Sequence, residues 1–177
     1  MKLKRTILLL IAATFLVVAG VLSNTDQVSA HPSRDQNVYY DYPTTATVVG
    51  TWGANLFEGN DQNKVFQRVL PVNSQWQVYG YTWRDDGYYY YAGGNLWIQG
   101  NQIKTPVYNW LDAILNVVSR YGEDWNSNTR WRTTTPFLGP IEVALEDDTN
   151  GQAIDTRLYQ VFDNGDINDV TWAVQPH

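Results

Sequence analysis

The chain has 177 residues, with 12 Lys and Arg against 18 Asp and Glu, for a formal net charge of −6. It has no cysteine and only two histidines, His31 and His177. That excludes thiol catalysis and Cys-ligated zinc, and it leaves serine–histidine hydrolysis without a rigidly held base. The acidic balance also argues against nucleic acid, whose affinity rests on cationic phosphate contacts.

Lys2, Lys4 and Arg5 precede an uncharged run, Ile7–Leu22, and Val28-Ser29-Ala30 supplies small residues of the kind a signal peptidase accepts. Residues 1–30 therefore read as a signal peptide, and the mature chain is expected to begin at His31 outside the cytoplasm. A retained anchor is the competing reading, but the apolar run is 16 residues long, short of the roughly 20 needed to cross a bilayer. No membrane insertion is expected after cleavage. With no Cys for lipid attachment, any hold on the cell is expected to be non-covalent. Cleavage removes three cations and one acid, leaving 147 residues at a net charge of −8. The mature part keeps all 8 Trp, all 12 Tyr and four of the Phe, enough rings either to fill a disulfide-free core or to line a ligand-stacking surface.

Residues 31–43 are polar apart from Tyr39-Tyr40-Asp41-Tyr42 and read as a flexible leader. Thr45–Thr51 is β-branched and reads as a strand, and Asn55–Phe57 as a second, closed by Gly59-Asn60-Asp61. Val65–Val72 is apolar, with Pro71 marking an edge or bend. Trp76, Val78 and Gly80 alternate with Gln75, Gln77, Tyr79 and Tyr81. Asp86-Gly87 then turns the chain into Tyr88–Ala92, and Gly93-Gly94-Asn95 leads into Leu96-Trp97-Ile98. Five or six short strands in so few residues predict a small β-barrel over 44–104.

Residues 44–104 resemble the surface-layer protein domain of lactic-acid bacteria. The features that carry this are a strand ending in Leu56-Phe57, the run Gln75-Trp76-Gln77-Val78-Tyr79-Gly80, the tyrosine-rich return strand Tyr88–Tyr91, and the ending Gly93-Gly94-Asn95-Leu96-Trp97-Ile98. The resemblance implies a bacterial SH3-like β-barrel that tethers a secreted protein to cell-wall polymers. The chain departs from that family in charge. Lys64, Arg68, Arg84 and Lys104 are balanced by Glu58, Asp61, Asp85 and Asp86, so neutral cell-wall polysaccharide or peptidoglycan, rather than a polyanion, is the expected partner.

From Thr105-Pro106 the pattern changes. Val107, Trp110, Leu111, Ile114, Leu115, Val118 and Tyr121 recur at helical spacing, with Thr105 as the expected cap and Gly122 as the stop. Glu123–Thr135 reads as irregular. Ile141–Glu146, Ile154–Phe162 and Val170–Val174 read as a three-stranded antiparallel meander on that helix, with helix also open for the middle segment. Residues 105–177 hold 11 acids and four arginines, so they read as an acidic α+β unit beside a mainly β first unit.

The candidate ligand-binding residues are the hairpin rings Tyr79, Tyr81, Trp83, Tyr89 and Tyr91, which offer flat apolar faces with polar edges; cross-strand ring pairing that stabilises the sheet is the alternative account of them. Asp163–Asp169 does not fit a calcium loop, because Gly165 and Ile167 take would-be ligand positions. No metal, cofactor or catalytic residue is therefore assigned. Three functions stay open: a wall-attached, non-catalytic binding module; an interaction or inhibitory protein acting through the acidic half; and a glycoside hydrolase drawing on Glu123, Asp124, Glu142 or Glu146.

Overall fold

The computed structural model describes residues 27–30, 35–36, 38–122, 129–135 and 139–174. Two antiparallel sheets and one helix account for most of them. The first sheet is built from β2 (Tyr40–Val48), β3 (Ala54–Glu58), β4 (Val65–Leu70), β5 (Gln75–Arg84), β6 (Gly87–Gly93), β7 (Leu96–Gln99) and β8 (Ile103–Lys104). Its strand order is β4-β3-β7-β6-β5-β2-β8. The second sheet joins β1 (Gln27–Ala30), β9 (Thr129–Thr134), β10 (Ile141–Asp147), β11 (Ile154–Val161) and β12 (Ile167–Asp169), in that order. The mainly β class agrees with the sequence. The first sheet is not a closed barrel, because its two outer strands, β4 and β8, do not pair with each other.

The leader is shorter than expected. Tyr40–Pro43 belong to β2, with Tyr40 opposite Tyr81 and a register shift between Asp41 and Thr44. Val38 accepts a hydrogen bond from Thr82 Oγ1 at 2.9 Å, and Gln36 reaches Asp85 at 2.7 Å. Aromatic rings that would be costly to leave in water find partners here, and the chain is ordered with them.

The helix α1 (Trp110–Tyr121) starts three residues later than the apolar spacing predicts. Asn109, not Thr105, caps it, its side chain accepting from the amides of Leu111 (2.8 Å) and Asp112 (3.1 Å). Thr105 is committed elsewhere: the buried Asn116 amide bonds its N–H, its carbonyl and its hydroxyl at 2.9 to 3.1 Å. Gly122 stops the helix as predicted, with φ of 78° and its N–H on the Val118 carbonyl.

Residues 129–134, expected to be irregular, form β9, with Thr129, Trp131 and Thr133 facing inward. Residues 154–161 are strand, paired on both sides. The last predicted strand is displaced: β12 is 167–169, and Thr171–Ala173 is a 3-10 turn. Most of the segment read from the sequence as a signal peptide lies outside the described residues. Its last four residues pair with β9, Ala30 opposite Trp131.

Both sheets and the helix share one apolar core. Leu56, Ile98, Tyr90 and Tyr81 from the first sheet join Ile114, Leu115, Val117 and Val118 of α1 and Trp131, Val143, Leu145, Tyr159 and Val161 of the second. Polar ties cross the same junction: Tyr90 Oη with Ser119 Oγ (3.1 Å), Tyr42 Oη donating to Asp112 (3.0 Å), and Lys104 paired with Asp166 (2.6 Å). The two stretches separated on charge and periodicity are thus packed on each other rather than standing as independent cores.

Candidate functional site

Residues adjacent in a strand point to opposite faces of the sheet. Leu56, Ile98, Tyr90 and Tyr81 lie opposite one another across β3, β7, β6 and β5, and form the core face. Their neighbours form a row on the outer face. Phe66 on β4 is opposite Phe57 on β3, Phe57 opposite Trp97 on β7, Trp97 opposite Tyr91 on β6, and Tyr91 opposite Gly80 on β5.

Gly80 completes this row by having no side chain. A Cβ there would overlap the ring of Tyr39, which lies across the glycine. The Tyr39 ring meets Tyr91 edge-on at 6.0 Å and Trp97 at 6.3 Å. Tyr91 and Trp97 are 5.0 Å apart, Tyr79 is 6.3 Å from Tyr91, and Phe57 is 6.0 Å from Phe66. Rings therefore follow one another across the sheet, half-buried in the middle and more open at Phe66, Tyr39 and Tyr79.

The structure divides the five predicted ligand residues. Tyr79 is 48% exposed and Tyr91 half-buried, and both belong to the band. Tyr81, 5% exposed, is not available. It stacks on Tyr40 at 5.2 Å, and burial, then Tyr40 and Asp112, push its hydroxyl up to about 12. Tyr89 is fully buried even though it lies on the outer face. The Lys64 ammonium sits 5.3 Å from its ring centre, and its hydroxyl donates to Asp86 at 2.9 Å. Trp83 is half-buried against the core. The expected alternation does not hold along β5, since Val78 and Tyr81 both enter the core, and at Tyr89 it does not show what the 59–64 loop lays over the ring. Sequence reasoning missed Tyr39, Phe57, Phe66 and Trp97, which only strand pairing brings into line.

The carboxylates considered for hydrolysis are placed differently. Glu146 is buried and held by Arg130 at 2.6 Å and Arg132 at 3.3 Å. Arg132 also binds Asp155 at 2.6 Å. Glu142 is half-buried on β10 opposite Thr134 and Gln160, and Glu123 and Asp124 lie outside the described residues. In the 163–169 turn, Asp166 faces Lys104 and accepts from Asn164 at 2.8 Å. Among the described residues, no helix is long and apolar enough to cross a membrane.

No family model, curated protein or solved structure matches the chain.

Proposed function

We propose that this chain is a secreted, non-catalytic cell-surface protein held non-covalently to the bacterial cell wall by the outer face of its seven-stranded sheet. The observation that carries this reading is the cross-strand row Phe66–Phe57–Trp97–Tyr91, ended by Tyr39 over Gly80. Core-filling needs rings on the other face of the sheet, and that face is already supplied by Tyr81, Tyr88 and Tyr90. A row of partly open rings on the solvent face is an apolar surface of the kind that marks a binding site. The surface-layer resemblance agrees with this, and an SH3-like barrel remains our reading of the seven-stranded sheet, opened between β4 and β8.

The test is a pull-down of the secreted chain on purified cell-wall sacculi at low and high salt, beside a Tyr79→Ala/Trp97→Ala variant. Salt-resistant binding that falls at least tenfold in the variant is the expected result. Absence of binding at either salt would overturn wall attachment.

One observation favours a second reading, an interaction or inhibitory protein acting through its acidic half. Phe162, Asp163, Asn164, Asp166 and Asn168 line a cavity of about 700 Å³ on the second sheet. On that reading a basic protein co-purifies with the chain and salt releases it.

A further inference from the structure

Beside the aromatic row runs a second row, of amides. Asn55 on β3 and Gln99 on β7 each stand two residues from a ring of the first row, Phe57 and Trp97, and so share its face. Asn55 Nδ2 donates to Gln99 Oε1 at 3.3 Å. Asn55 Oδ1, an acceptor, and Gln99 Nε2, a donor, have no partner among the described residues. Charges at the margin are engaged. Lys64 is paired with Asp86 at 2.8 Å, Glu58 accepts from Gln67 at 3.3 Å, and the Arg68 guanidinium lies 5.3 Å from the Trp76 ring. Asp41, opposite Gly80, stands at the far end.

We infer that this face binds a neutral glycan chain laid across the strands, its sugar rings on Phe66, Phe57, Trp97 and Tyr91 and its hydroxyls on Asn55 Oδ1 and Gln99 Nε2. This inference rests on the wall-attachment reading and gives it a ligand class. A pyranose has an apolar C–H face and a rim of hydroxyls that both donate and accept, which is what rings flanked by an open donor and an open acceptor complement. Lys64, 6.0 Å from the Phe57 ring centre, is already paired with Asp86 and so offers a polyanion no uncommitted charge at the row. An extended peptide would be taken up along a sheet edge by main-chain bonds, whereas Trp97 and Tyr91 lie in the middle of the sheet. Strands are about 4.8 Å apart, so four steps from Phe66 to the Tyr39 ring span about 19 Å, or about four sugar units end to end. Affinity is therefore set by chain length up to about four units and flattens beyond that.

The experiment titrates the secreted chain with N-acetylglucosamine and glucose oligomers of two to six units, and separately with poly(glycerol phosphate). Tryptophan fluorescence and calorimetry are followed at low and high salt. Expected are at least a tenfold gain in affinity from two to four units in one sugar series, little gain after that, and no salt dependence. Gln99→Ala and Asn55→Ala each weaken binding at least fivefold while the circular dichroism spectrum is unchanged. A chain that still binds sacculi but no oligomer, or that binds poly(glycerol phosphate) and is released by salt, overturns the glycan inference and leaves wall attachment standing. A chain that binds neither sacculi nor oligomers overturns both.

Discussion

Gly80 and Asn116 each answer a demand set by their immediate surroundings. At Gly80 the space a Cβ would take is filled by the Tyr39 ring and the Tyr40 carbonyl. Gly80→Ala is expected to unseat Tyr39, at a cost of about 2 kcal/mol by overpacking, and to weaken wall binding with it. Urea unfolding and a sacculi pull-down read the two effects, and a variant as stable as the wild type would mean the ring is not seated there. Asn116 satisfies three groups of Thr105 and also donates to the Asp112 carbonyl at 3.0 Å. Asn116→Ala strands a buried N–H and C=O, so a loss of about 3 kcal/mol is expected in the same assay. Neither role was legible in the sequence. The Tyr79/Tyr81 alternation put both rings on one outward face of β5, yet Tyr81 enters the core with Val78, against Tyr40 and Tyr42, while Tyr79 stays exposed beside Tyr91. What covers a residue depends on segments far from it in the chain, and local pattern carries no record of them.

Legibility improves where an element is set by its own neighbours. The α1 face, the Gly122 stop and the Asp86-Gly87 hairpin follow from spacing and turn chemistry alone. The start of the helix did not, because Thr105 and Asn109 are both competent caps and the tertiary bonds of Asn116 decide between them. Asn109→Ala should therefore cost about 1 kcal/mol. Strand β9 was readable in principle: Thr129 to Thr134 alternates strictly, with Trp131 inward and Arg130 and Arg132 turned to Glu146 and Asp155. Its polar composition concealed it. The junction between the sheets also carries a pH dependence. Lys104's hydrogen bond, ahead of the opposing effect of burial and helped by Asn164, holds the Asp166 carboxyl below the usual aspartate range. A depressed carboxyl stabilises the fold above that range and loses its contribution as pH falls through its own lower value. The melting temperature should accordingly drop as pH falls below about 4, and Asp166→Asn should be less stable at neutral pH with a shallower fall. A fall identical in the variant would assign the effect to other carboxylates.

Across the whole molecule, the charge asymmetry between residues 44–104 and 105–177 marks two surfaces, not two cores. Helix α1 packs against β9, β10 and β11 of one sheet and against the 3-10 turn at Gly100–Gln102 beside the other. One shared core predicts one calorimetric transition, with calorimetric and van't Hoff enthalpies equal; two resolved transitions would contradict it. The claim that joins fold to function is that an assembled row of rings, rather than exposure alone, makes the binding face. Trp52 is 91% exposed and Trp172 is 71% exposed, and neither belongs to the row; Trp97 is half-buried within it. The decisive measurement is wall binding of Trp52→Ala, Trp172→Ala and Trp97→Ala side by side, each confirmed folded by circular dichroism. Loss confined to Trp97→Ala is the predicted result. Loss in Trp52→Ala or Trp172→Ala, with Trp97→Ala binding like the wild type, would contradict the account.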